Sequence, residues 1–72
     1  MRIAVIGASG MTGAAIVEEL SSRRHQVTGI GRNADKIARR DGVTAIAADI
    51  MNVREMANAL SGHDAVVCAY AA

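Results

Sequence analysis

The fold of this chain is decided by Met1-Arg-Ile-Ala-Val-Ile-Gly7-Ala-Ser-Gly10-Met-Thr-Gly13-Ala-Ala-Ile-Val-Glu-Glu-Leu20. The stretch reads as a short apolar strand, a loop with glycines three residues apart, and an amphipathic helix. Gly7 lets the chain leave the strand sharply, Gly10 has no side chain to obstruct a phosphate, and Gly13 lets helix and strand pack closely. The unpaired N–H groups of the first helical turn point at this loop. The pattern predicts a site for a dinucleotide pyrophosphate; the alternative is a strand-to-helix turn that binds nothing.

Composition limits the class of protein. The 72 residues carry a net charge of +1, and 51% are hydrophobic although Phe and Trp are absent. No apolar run approaches the roughly 20 residues that cross a bilayer, so no membrane attachment is expected. The near-neutral charge argues against nucleic acid as a partner, and we expect a cytoplasmic protein. Cys68 stands alone in an apolar run, which predicts a buried, inert thiol rather than a reactive one.

Four nearly continuous apolar runs predict four strands, over Arg2–Ile6, Gln26–Gly31, Val43–Ala48 and Ala65–Tyr70. Such runs are typical of parallel strands that are covered on both faces. Besides the first helix, the pattern predicts a helix from a cap at Asn33 to Arg40, and another that begins at Asn52 with a capping box to Glu55. Right-handed crossovers then give an α/β fold of βαβαβαβ order. It is half of a doubly wound sheet with parallel strand order 3-2-1-4.

The third predicted helix has its own signals. Met56, Ala59 and Leu60 fall on one face of it, and Gly62 stands where a C-terminal cap belongs. The fourth predicted strand follows, and its outer edge has no neighbour in the sequence. We therefore expect residues 1–72 to be the N-terminal portion of a dinucleotide-binding domain, apparently truncated after this strand. The remainder of a longer chain or a second copy would pair at the open edge, so a homo-oligomer is expected in the latter case.

The run from Ile3 to Gly13 resembles the atypical and extended short-chain dehydrogenase/reductase families, especially their NAD(P)H-binding, NmrA-like branch. The family fingerprint Gly-x-x-Gly-x-x-Gly is matched at positions 7, 10 and 13. Gly31-Arg32-Asn33 and Ala48-Asp49-Ile50 follow the second and third strands, as in the family. The resemblance spans the whole chain but only the first third or so of a typical member. It implies a Rossmann fold that binds a nicotinamide dinucleotide.

The resemblance also implies how the cofactor is bound. Arg32, at the position that selects the cofactor, would meet the 2′-phosphate of NADP, so NADP is favoured over NAD. Asp49 would receive the adenine amine, and Ile50 would cover a face of the ring. The alternatives are a solvated arginine, an aspartate that merely closes a turn, and Asp35 as the partner of the ribose. The predicted cofactor contacts are Gly7, Ser9, Gly10, Met11, Thr12, Gly13, Arg32, Asp49, Ile50, Ala69 and Tyr70.

No catalytic or metal-binding residue is predicted. The Tyr-x-x-x-Lys pair of the family has no counterpart, because Tyr70 is the only tyrosine and no residue stands four positions after it. His63 and Asp64 could imitate a catalytic pair, although adjacent turn residues rarely act as one, and two histidines without suitable partners make no metal site. The resemblance implies the NADP(H)-binding segment of an oxidoreductase or epimerase, inactive by itself. The alternative is a non-catalytic, dinucleotide-sensing regulator.

Overall fold

The structure is a computed structural model that describes residues 1–37 and 39–69. Its elements follow in the order β1 (Arg2–Ile6), α1 (Met11–Ser22), β2 (Gln26–Gly31), a 3-10 helix (Ala34–Lys36), β3 (Val43–Ala47), α2 (Val53–Leu60) and β4 (Ala65–Cys68). All strand pairs are parallel, and the strands lie in the order β3-β2-β1-β4. The predicted α/β class and strand order are confirmed.

The two α-helices cover opposite faces of the sheet. On one face, Val17 of α1 packs into a buried cluster with Val5 and Val27. On the other face, Ala59 of α2 packs against Ala4 and neighbouring side chains of β1 and β2. Because side chains alternate along a strand, β1 supplies both clusters and is buried on both sides. This double burial explains the unbroken apolar run at the start of the sequence.

The second crossover differs from its prediction. Asn33 caps it as expected, since its Oδ1 accepts a hydrogen bond from the Asp35 N–H at 3.1 Å. The helix is nevertheless a single 3-10 turn, and the prediction that it continues to Arg40 is wrong. Ile37 turns to an extended conformation with φ −88° and ψ 125°, and its side chain is only 3% exposed. Burial of this side chain against the sheet outweighs the weak helical preference of so short a segment.

The caps predicted for α2 are present. Asn52 Oδ1 accepts a hydrogen bond from the Glu55 N–H at 3.1 Å, which is the first half of the predicted capping box. Gly62 follows the helix with φ +77°, the left-handed conformation that favours glycine at this position. Met56 and Leu60 flank the buried Ala59 on the predicted face. No helix among the described residues is long and apolar enough to span a membrane.

The last two strands end earlier than predicted. β3 ends at Ala47 rather than Ala48, and β4 ends at Cys68, while Tyr70 lies outside the described residues. Cys68 is exposed, so the prediction of a buried thiol is wrong. The reason is the position of α2, which covers β1, β2 and β3 but not β4. Val66, on the same face of β4, is accordingly 48% exposed.

Candidate functional site

Backbone hydrogen bonds join the carboxyl ends of all four strands. The Gly7 N–H donates to the Ile30 carbonyl of β2 at 2.8 Å. The Ala48 N–H donates to the last residue of β2 at 2.9 Å, and the Ala69 N–H donates to the last residue of β1 at 2.8 Å. The segments that follow the strands therefore share one edge of the sheet. Ligands of open parallel sheets bind outside this edge.

The loop between β1 and α1 is folded tightly around Gly7. This residue has φ +83°, and its carbonyl oxygen accepts a hydrogen bond from the Gly10 N–H at 3.1 Å. A Cβ atom on Gly13 would overlap the same oxygen and lie 2.7 Å from the Gly7 carbonyl carbon. The lack of a side chain at Gly13 is thus what allows α1 to begin directly against the loop.

The N-terminus of α1 has no capping side chain. Gly10 occupies the N-cap position, and the first helical turn contains no acidic residue. The first N–H groups of a helix lack partners within the helix and carry the positive end of its dipole. A Cβ atom on Gly10 would meet only the Gly7 oxygen, at 3.5 Å, so the space beside Gly10 is open. The chemistry of these donors and the open space in front of them fit a phosphate group.

The other predicted loop residues are exposed around this helix end. Met11 is 93% exposed, and Ser9 and Thr12 are exposed as well. The Ser9 hydroxyl oxygen lies 3.3 Å from the position that a Cβ atom on Gly31 would take. The glycine loop is therefore a direct neighbour of the carboxyl end of β2.

Arg32 follows β2 at this point and is exposed. Within the described part of the chain the ion pairs are Arg23–Glu19 and Arg40–Glu18, and neither involves Arg32. The Asp35 side chain is also exposed, on the 3-10 turn that comes next. The structure thus places a guanidinium group at the position predicted to select the cofactor, with a carboxylate three residues further along.

Asp49 closes the turn between β3 and α2. Its Oδ1 accepts a hydrogen bond from the Met51 N–H at 2.9 Å, and its carbonyl oxygen accepts one from the Asn52 N–H at 2.9 Å. The turn role that was the alternative interpretation is therefore real for one carboxylate oxygen. Ile50 is exposed beside it, and Ala69 is half-buried beside β1. Tyr70 lies outside the described residues.

His63 and Asp64 do not form a catalytic pair. His63 Nδ1 lies 3.1 Å from the Leu60 carbonyl oxygen, and Nε2 lies 2.7 Å from Thr28 Oγ1. A carbonyl oxygen only accepts, so Nδ1 donates there, while Nε2 forms the second hydrogen bond with the threonine hydroxyl, which can donate or accept. The Asp64 carboxylate instead accepts from the Arg2 N–H at 2.8 Å, at the amino end of β1. His63 therefore connects α2 to β2 and plays a structural part.

Ile37 is not among the residues predicted from the sequence to build the site. Its side chain packs over two glycines of β2, and its Cγ2 lies 3.0 Å from the position of a Cβ atom on Gly29. The available signal was the spacing of Gly29 and Gly31, which places two residues without side chains on one face of a strand. Glycine inside a strand often marks the close approach of another group.

Among the described residues no cluster of three or more His, Cys, Asp or Glu side chains could hold a metal ion.

Comparison with known proteins decides the family. The sequence profile of an NAD(P)H-binding family matches residues 7–72. The chain belongs to this NAD(P)H-binding family. It is 40% identical over 72 residues to YwnB, an uncharacterised protein of Bacillus subtilis. The match covers 100% of this chain but 32% of that protein.

Solved structures agree with this assignment. The oxidoreductase ylbE of Lactococcus lactis matches with a TM-score of 0.92 and 26% identity, over 100% of this chain and 33% of that one. SP1627 of Streptococcus pneumoniae, a proposed NADH-flavin reductase, matches with a TM-score of 0.79 and 38% identity, over 100% of this chain and 32% of that one. The chain thus spans about a third of the length of these relatives. It forms a Rossmann-like half-fold with the strand order β3-β2-β1-β4.

Proposed function

We propose that the chain is the NADP(H)-binding segment of a short-chain-type oxidoreductase or epimerase. The observation that carries the proposal is the first turn of α1, which has no capping side chain or acidic residue and begins at the open Gly10. The pyrophosphate binds the N–H groups of this turn, including those of Met11 and Thr12. The exposed Ser9 hydroxyl donates a further hydrogen bond to it.

Arg32 gives this site its preference for NADP. The guanidinium group is a fixed fork of donors that matches a phosphate, and it stands next to the end of β2 that Ser9 touches. The neighbouring positions, Gly31 and Asn33, carry no carboxylate for the ribose 2′-hydroxyl of NAD. The 2′-phosphate of NADP therefore has a partner in this chain that NAD does not use.

The remaining contacts orient the cofactor, which itself supplies the hydride chemistry. The Asp49 carboxylate keeps one oxygen outside its turn hydrogen bond and receives the adenine amine with it. The exposed Ile50 covers a face of the ring. Ala69 follows β4 and approaches the ribose and nicotinamide, and Tyr70 is assigned to the same part of the cofactor from the family resemblance alone. The names of ylbE and SP1627 support redox chemistry for the protein as a whole.

The experiment that tests the proposed site is a calorimetric titration of Gly10→Val with NADP⁺ and NAD⁺. We expect the fold to tolerate the valine, because a Cβ atom there has a single neighbour, the Gly7 carbonyl oxygen at 3.5 Å. It obstructs the pyrophosphate, so both cofactors should lose affinity by about tenfold or more, with an unchanged circular dichroism spectrum. The matched substitution Gly13→Ala should instead disrupt the fold, since its Cβ atom would overlap the Gly7 carbonyl group. Undiminished binding to folded Gly10→Val would contradict the proposal.

A further inference from the structure

We propose that Ile37 is a positioning residue that sets the preference for NADP by holding Arg32 in place. The inference rests on the proposed function and adds to it the residue through which Arg32 is fixed. Ile37 touches no part of the cofactor in this account. It acts by anchoring the segment that carries the guanidinium group.

Ile37 occupies a notch in the face of β2 that is covered by α1. Gly29 and Gly31 lie on this face without side chains, and Ile37 fills the space above them. Its Cγ2 lies 3.0 Å from the position of a Cβ atom on Gly29, and its Cδ1 lies 3.6 Å from the corresponding positions on both glycines. The Ile37 side chain is only 3% exposed and belongs to the same buried cluster as Val17 and Val27.

The glycine loop packs into the same notch, on the same face of β2 as Ile37. The Ala8 Cβ lies 3.1 Å from the Cβ position of Gly29, and the Ser9 Oγ lies 3.3 Å from that of Gly31. Ile37 and the proposed pyrophosphate loop therefore touch the same two residues of β2. This contact fixes the segment after β2 relative to the loop, and so fixes the two proposed phosphate sites relative to each other.

The segment between the end of β2 and Ile37 is short and held at both ends. Gly31 is held in the sheet by its carbonyl, which accepts from the Ala48 N–H at 2.9 Å. The next residues are tied by an Asn33 carbonyl that accepts from Lys36 at 3.2 Å and by an Ala34 carbonyl that accepts from Ile37 at 3.1 Å. Arg32 lies inside this closed segment, between one end paired in the sheet and the other end buried.

The contact of Ile37 with β2 should affect the affinities for the two cofactors differently. Arg32, Asn33, Asp35 and Lys36 are all exposed, so Ile37 is the buried side chain that holds this part of the crossover on the sheet. Holding the backbone of Arg32 lowers the entropy lost when its side chain binds a phosphate. NAD has no 2′-phosphate, so loosening the segment should weaken NADP binding and leave NAD binding nearly unchanged.

The test is the ratio of the dissociation constant for NAD⁺ to that for NADP⁺, measured by calorimetry, which falls when the preference for NADP⁺ is lost. Ile37→Ala should raise the Kd for NADP⁺ by about two- to tenfold, as expected when one long side chain must be ordered on binding. The Kd for NAD⁺ should stay within about twofold. Ile37→Val should restore most of the wild-type ratio, because it keeps the branched methyl group at the notch.

Leu20→Ala is the matched control. Leu20 is a half-buried side chain that packs on the same cluster from the far end of α1. Its truncation should lower the melting temperature without changing the ratio. If Ile37→Ala does not fold, Gly29→Ala takes its place, since a Cβ atom 3.0 Å from Ile37 Cγ2 requires that side chain to shift by a few tenths of an ångström. The same Cβ atom lies 3.1 Å from Ala8 of the glycine loop, so the ratio is compared rather than either constant alone, because a change in the pyrophosphate loop affects both cofactors. The ratio should fall in this variant as well.

Four results would overturn the inference. An unchanged ratio in folded Ile37→Ala, or in folded Gly29→Ala when Ile37→Ala does not fold, would show that Ile37 serves only the core. A ratio that falls equally in Leu20→Ala would show a general effect of lost stability. A wild-type protein without any preference for NADP⁺ would contradict both this inference and the proposed function. A preference that depends on Arg32 but not on Ile37 would overturn the inference alone.

Discussion

At the scale of single residues, the glycine loop was the most predictable part of the molecule. The need for glycine at positions 7 and 13 follows from local geometry, a positive φ at the former and a close backbone contact at the latter. Both requirements arise between residues that lie close together in the sequence, so the sequence pattern alone reveals them. The role of Asp49 was less predictable, because one carboxylate can close a turn and face a ligand, and the sequence does not reveal how its two oxygens are used.

Arg32 provides the sharpest prediction at this scale. Arg32→Ala should weaken NADP⁺ binding by about tenfold or more, because hydrogen bonds to a charged group contribute about 1.5–3 kcal/mol each. NAD⁺ binding should stay nearly constant, and calorimetry measures both. Arg24→Ala is the control, since it removes one exposed positive charge near the other end of α1. Equal losses for the two cofactors in Arg32→Ala would remove this residue from the 2′-phosphate site.

At the scale of elements, the prediction succeeded for β1, α1 and β2 and failed for the second crossover. The first three elements have long, regular patterns, and their bounds rest on residues close in sequence. The end of the 3-10 turn depends instead on Ile37 meeting Gly29, a contact between two elements. Tertiary packing decides short helices more than local propensity does. A sequence pattern that reads only neighbouring residues therefore extends the helix too far.

The cap of α2 gives a prediction at the same scale. Asn52→Ala removes the oxygen that accepts from the Glu55 N–H, and should lower the free energy of unfolding by about 0.5–2 kcal/mol. Asn58→Ala, on the same helix, is the control and should change stability by less than about 0.5 kcal/mol. Urea denaturation followed by circular dichroism measures both. A cost for Asn58→Ala as large as that for Asn52→Ala would mean that the cap is not the cause.

At the scale of the whole molecule, the strand order could be predicted because parallel crossovers leave few alternatives. The exposure of β4 could not be predicted from the sequence, because it depends on where α2 lies. This helix packs over β1, β2 and β3, so Val66 and Cys68 of β4 stay exposed. The prediction that a further strand or a second copy pairs with β4 is not tested by this structure and stays a prediction.

The central claim is that this chain binds NADP through the glycine loop and Arg32. The most direct measurement is a calorimetric titration of the protein with NADP⁺, with NAD⁺ in a parallel titration under the same buffer and salt conditions. We expect saturable binding of NADP⁺ that is about tenfold tighter than binding of NAD⁺, in line with the contribution of one charged hydrogen-bonding group. Equal affinities, or tighter binding of NAD⁺, would contradict the role of Arg32. The absence of binding by either cofactor would contradict a working site in this chain.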